Sequence, residues 1–183
     1  MLNTDWYNKR QNRVEIKMDK ISIIWARQFT DKIEQILHSP CNIPNKMFEM
    51  TIVVDSNLTI MQVKNNIPEL LLILKRHSEI FKNVRLNIVN WNSDNDIINN
   101  LVPMSLAELQ SYYDNYKQTI TLKSYDTLMN NLKLFHARSK LIIIFTDGKY
   151  HEGPKEELTK LMQPFLSRKV MNVIVRENEL IIK

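Results

Sequence analysis

The sequence predicts an α/β protein with three layers: a mainly parallel central sheet and helices on both of its faces. Three observations carry this expectation. First, "MTIVVD" at 50–55 and "LIIIFTD" at 141–147 contain unbroken apolar runs. Parallel strands covered on both faces read this way, whereas half-exposed strands alternate. Second, segments with apolar residues at helical spacing lie between the strand-like runs, so strands and helices alternate along the chain. Third, each run stops at an aspartate, Asp55 or Asp147, followed by polar residues. Ligands of open α/β sheets bind just beyond the carboxyl ends of such strands.

The elements follow in order. Residues 19–38 place Ile21, Ile24, Trp25, Phe29, Ile33, Ile36 and Leu37 on one helical face, with Asp19 as cap and Pro40 beyond the end. "SPCNIPNK" reads as a connector. The chain therefore divides into an N-terminal helical extension, 1–46, and a main domain, 47–183. The main domain opens with a strand at 48–54 and a helix over 60–81 that contains Pro68. A second strand spans 84–91. "MSLAELQSYYDNYK" reads as a helix, with Ser105 as cap and Glu108 completing a capping box. "YDTLMNNLKLFHA" is a further helix and "KLIIIFT" a core strand. "GPKEELTKLMQPFL" is a helix with Pro154 in its first turn, where proline is tolerated. "VMNVIV" is the last core strand, and "ELIIK" turns back on it through "REN". No helix is expected after "VMNVIV", which would leave one sheet face partly bare. The helix at 19–38 is expected to cover it through Trp25 and Phe29.

Composition narrows the function classes. A chain of 183 residues holds one domain with a small appendage and buries a proper core. Its 44% apolar and 25% charged residues are those of an ordinary globular protein. No apolar run approaches the roughly 18 residues of a membrane span. The first 17 residues are polar and mixed in charge, unlike a secretory signal. The single cysteine, Cys41, excludes an internal disulfide and points to a reducing, cytoplasmic setting, a virus-encoded protein included. The net charge of +5 (25 minus 20) is spread without a basic block, so no nucleic-acid partner is expected. With only 2 glycines there is neither a P-loop nor a dinucleotide fingerprint. The many asparagines, as in "NWNSDNDIINN", read as coding bias. Trp91 reads as core or rim packing, and the four histidines are too scattered to suggest ligation.

Three segments together resemble the von Willebrand factor A domain, also called the integrin I-like domain. "TIVVD" continues into "SNLT" where that family has D-x-S-x-S. "VRLNIVNWNSD" stands where its second strand ends in an aromatic and a serine. "KLIIIFTDGK" matches its apolar strand ending in T-D-G. The order agrees, Asp55 and Asp147 are 92 residues apart (147 − 55), and the resemblance spans 47–175. It implies a divalent cation, usually Mg²⁺, at the carboxyl edge of the sheet, completed by a carboxylate from a protein partner. Mg²⁺ suits such a place because it takes hard oxygen ligands and keeps several waters. The implied ligands are Asp55, Asn57 and Thr59 (in place of the two serines), Thr121 and Asp147. Thr121 stands for a threonine that follows two glycines in the family. Here the segment is "TITLKSYDTL", with Leu122 at the ungapped position and Thr121 and Ser124 beside it.

Two other readings accompany this one. Asp55 and Asp147 can act as strand-end caps that accept backbone N–H groups from the following turns. "DSNLT" also echoes the D-x-D-x-T of haloacid-dehalogenase-type phosphohydrolases, in which Asp55 would be the nucleophile. There Asn57 replaces the acid/base aspartate. The function expected from the sequence is thus protein–protein interaction through the carboxyl edge, with Mg²⁺ as cofactor.

Overall fold

The structure, a computed structural model, describes residues 27–31, 48–76, 84–104, 108, 116–153, 170–175 and 180–182. Six strands form one sheet: β1 (Phe48–Asp55), β2 (Val84–Ser93), β3 (Asp96–Met104), β4 (Leu141–Thr146), β5 (Val170–Val175) and β6 (Leu180–Ile182). Among the described residues the helices with defined bounds are α1 (Ile60–Arg76) and α2 (Tyr125–Phe135). The strand order is β3-β2-β1-β4-β5-β6. The four central strands run parallel, and β3 and β6 pair antiparallel at the two edges. The molecule is therefore an α/β protein with a mixed, mostly parallel sheet.

Side chains of a strand alternate between faces, so each central strand feeds two cores. Met50, Ile52, Val54, Ile143 and Phe145 pack with Val63, Ile67, Leu70 and Ile73 of α1. Val53, Val89, Trp91, Ile142 and Ile144 pack with Leu128, Met129 and Leu132 of α2. All of these are buried. At about 1.5–3 kcal/mol for each large apolar side chain removed from water, these two clusters supply the main stabilising term. Phe29, within a helical stretch at 27–31, is fully buried in the α1 cluster.

Helix α1 starts where its sequence says it should. Thr59 Oγ1 accepts from Gln62 N at 3.2 Å, and Gln62 Oε1 accepts from Thr59 N at 2.8 Å. This reciprocal pair is a capping box that satisfies two otherwise orphaned donors. Pro68 lies inside the helix and leaves one carbonyl without its helical donor.

One strand was not expected. The asparagine-rich stretch forms β3, joined to β2 by a two-residue turn at Asp94 and Asn95 between the paired Ser93 and Asp96. Asp and Asn are the residue types such tight hairpins favour. β3 pairs only with β2 among the described residues, and Ile98, Leu101 and Val102 on it are exposed. An edge strand need not be an apolar run, and it tolerates Pro103. The hairpin of β5 and β6 forms as expected, with Val175 opposite Leu180.

Several expectations lie outside the described residues: most of the helix at 19–38 with Trp25, the connector, the helix at 153–166, and the helix at 104–117 except Glu108, which is helical. At that helix's expected ends, Met104 belongs to β3, and Tyr116 and Lys117 have no regular structure. Among the described residues no helix is long and apolar enough to cross a membrane.

Candidate functional site

β1 and β4 are adjacent and parallel at the centre, and the chain leaves this pair towards opposite edges of the sheet. Such a reversal opens a crevice at the carboxyl ends of the two strands. Asp55, the last residue of β1, lies there fully buried. Val54 is in register with Phe145, which sets Asp55 level with Thr146 and Asp147 one residue beyond. Both aspartates thus lie at the same edge, but Thr146 is the residue that meets Asp55. Its hydroxyl donates to Asp55 Oδ2 at 2.7 Å and accepts from Gly148 N at 3.0 Å.

The other oxygen of Asp55 has two donors. Asn57 N reaches Oδ1 at 2.9 Å, so the strand-end capping role is realised. The second is the ammonium of Lys123, which forms a buried ion pair with the same oxygen. Lys123 Nζ also donates to Ser56 Oγ at 3.0 Å and to Asn57 Oδ1 at 3.1 Å. An ammonium has three donors, and all three are used. The charge also lies 5.5 Å from the ring centroid of Trp91, within cation–π range. Trp91 is fully buried and leads into a ring cluster, with Tyr150 at 5.9 Å and Tyr125 stacked on Tyr150 at 4.9 Å.

Lys123 is brought there by the segment 116–123, which pairs with no strand among the described residues but is tied down along its length. Tyr116 Oη donates to the carbonyls of Leu58 at 2.7 Å and Asp55 at 3.1 Å. Thr119 N donates to Ser56 O at 2.9 Å, and Ser56 Oγ donates to Thr119 O at 2.8 Å. Asn57 uses its carboxamide as a strand neighbour would, accepting from Thr121 N at 3.0 Å and donating to Thr121 O at 3.2 Å. Beyond it, Lys123 O accepts from His151 N at 2.7 Å and Ser124 N donates to Asp94 Oδ1 at 2.7 Å. Burial raises the pKa of Tyr116, with the Asp55 and Asp147 carboxylates adding to it, and pushes Tyr125 up to about 12. Both phenols therefore remain hydrogen-bond donors at neutral pH.

The five residues implied as metal ligands separate into two groups. Asp55, Asn57 and Thr121 come together. Thr59 is exposed and spends its hydroxyl on capping α1. Asp147 caps its own turn, accepting from Lys149 N at 2.9 Å, with Lys149 Nζ 3.9 Å from its other oxygen. Gly148 permits that turn with φ of +80°. The hydroxyl of Thr121 donates to Asn92 O. An octahedral Mg²⁺ needs oxygens at about 2.0–2.1 Å directed at one point. Here the point on which Asp55 Oδ1, Ser56 Oγ and Asn57 Oδ1 converge holds a positive ammonium. The residues present do not fit Mg²⁺ at this place. No group of three or more His, Cys, Asp or Glu among the described residues is arranged to hold a metal either.

Lys123 and Thr146 were missed by sequence reasoning. The signal for Lys123 was the alternation in "ITLK", which puts Thr121 and Lys123 on one side of an extended chain and Ile120 and Leu122 on the other. Lysine is almost never fully buried unless paired, so the side facing inward was hard to choose.

A second buried polar cluster lies nearer the start of β1. Thr51 Oγ1 shares hydrogen bonds with Ser139 Oγ at 2.6 Å and His136 Nδ1 at 3.2 Å, and His136 Nε2 lies 2.8 Å from Asn99 Oδ1. Burial lowers the pKa of His136 to about 4. Thr51, Ser139 and His136 are all buried, so the cluster fastens the end of α2 to β1 and β3. No protein-family model matches the chain, and a search of curated proteins finds no match.

Proposed function

We propose that the chain is a protein–protein interaction domain of von Willebrand A type that engages its partner through the carboxyl edge of the sheet. The strand order, the packing of α1 and α2 against alternate faces of the central strands, and the meeting of "DSN" with "TDG" on adjacent strands support this reading. One observation carries it. Ile120 and Leu122 are 80% and 86% exposed on a segment whose backbone is anchored to Ser56 and Asn57. Ile60 and Met61, exposed in the first turn of α1, lie shortly after those anchor residues in the chain. Apolar side chains held in water on fixed backbone mark an interaction surface, and their fixation lowers the ordering cost of binding. The exposed Lys117 lies three residues before Ile120, so the matching partner surface is apolar with a carboxylate on its rim.

Asp55 is poorly suited to act as a phosphohydrolase nucleophile, because it is fully buried and both of its oxygens are engaged. The test uses the whole chain as bait. A captured partner is identified, purified and titrated against wild type and against an Ile120→Asp/Leu122→Asp variant of equal thermal stability. The variant is expected to bind at least about tenfold more weakly, the equivalent of losing one buried apolar contact. Equal binding by the two proteins, or phosphate release from an aryl phosphate that disappears in Asp55→Asn, overturns the proposal.

A further inference from the structure

We infer that Lys123 is a resident cation: its ammonium sits on Asp55 and Asn57, two of the ligands the resemblance assigns to Mg²⁺, with Ser56 as its third acceptor, so the carboxyl edge is assembled without a divalent metal. Three features of the cluster lead there. The acceptor count matches an ammonium, since three oxygens meet three N–H donors and none of those donors is left over. The charge matches too. One carboxylate balances one ammonium, whereas a divalent ion on Asp55 beside Lys123 would leave a buried excess of positive charge. Depth is the third feature, because Lys123 is 1% exposed and its side chain is sealed from solvent together with that of Asp55.

The lysine also has mechanical work at this edge. Its backbone belongs to the segment 116–123, and its ammonium joins that segment to the end of β1 and the turn after it. Thr121 and Lys123 face inward on that segment, and Leu122 between them is held outward. The ammonium therefore fixes the backbone that carries Ile120 and Leu122. This inference concerns the cation alone and holds whether or not the domain binds a protein.

Thermal unfolding of the intact chain with EDTA and with millimolar MgCl₂ tests it. Wild type is expected to unfold at the same temperature in both. Lys123→Ala is expected to unfold at a clearly lower temperature in EDTA, because Asp55 is left buried without its counter-charge. Millimolar Mg²⁺ or ethylammonium should then raise that temperature by refilling the vacated volume, with no such rise in wild type. If Lys123→Ala does not fold, the decision passes to Asp55→Asn/Lys123→Met, which removes both charges and is expected to unfold at a higher temperature than Lys123→Met alone. The inference is overturned by a Mg²⁺-dependent rise in wild type that Asp55→Asn abolishes. It is equally overturned by a Lys123→Ala protein as stable as wild type in EDTA or folded but indifferent to both additives, or by a double variant no better than Lys123→Met.

Discussion

The hydroxyl of Thr146 and the carboxylate of Asp147 are neighbours in "FTDG" with unequal work. Thr146 is buried and bonded to both Asp55 and Gly148, while Asp147 is partly exposed and serves its own turn. Thr146→Val removes a buried donor from a carboxylate and should cost about 1–3 kcal/mol. Asp147→Asn keeps an acceptor for Lys149 N and should cost less than about 0.5 kcal/mol, as surface changes usually do. Urea unfolding of the two variants measures this, and the reverse ranking would contradict the arrangement of the edge. His136 gives a prediction in pH. Its folded pKa of about 4 lies below the ordinary 6.5, so the unfolded chain binds the extra proton between these values. Stability should be level above pH 6.5 and fall as pH drops from 6.5 towards 4, by up to about 3 kcal/mol at about 1.4 kcal/mol per pH unit. Denaturant titrations of wild type and His136→Gln across that window test it, since the variant should lose this part of the slope. Asp55 was legible in the sequence because a charge at the end of an apolar run is conspicuous. Lys123 was not, because nothing local says that a lysine in a polar stretch will be drawn inward by a carboxylate 68 residues away.

At the scale of elements, the apolar runs revealed the central strands because burial on both faces imposes a single residue type along them. The same criterion is blind to β3, whose outer positions are exposed and whose asparagines passed for compositional bias. Thr59 shows a different failure. "TIMQ" carries the T-x-x-Q of a capping box, yet the resemblance assigned Thr59 to a metal, and the helix used it first. Thr59→Ala should therefore cost about 1 kcal/mol through the cap. It should leave the response to Mg²⁺ unchanged, as chemical denaturation with and without the ion would reveal. A loss of Mg²⁺-dependent stability in this variant would restore Thr59 to a ligand role.

At the scale of the molecule, the sheet must end somewhere, and the β3 edge shows how strand pairing with other chains is limited. Asn100 Oδ1 accepts from Val102 N at 3.1 Å, Pro103 has no N–H to offer, and the pairing with β2 shifts register twice. Bulges and proline are the usual protections of an exposed edge. Replacing both, as Asn100→Val/Pro103→Thr, should produce concentration-dependent self-association beside the exposed Ile98, Leu101 and Val102. Sedimentation velocity over a concentration series measures this, and a variant as monodisperse as wild type would show that the edge is guarded by something else.

A metal can be loaded after folding, removed by a chelator and rationed by the cell. The cation at this edge is covalently part of the polypeptide, so dilution does not empty its site and no ion concentration sets its occupancy. Its contact closes a loop of 68 residues, so it is a non-local event that forms only once the β1 end and the distant segment have met. The surface carrying Ile120 and Leu122 is then a product of folding itself. Any control over its exposure has to act on the stability of that closure rather than on the supply of an ion.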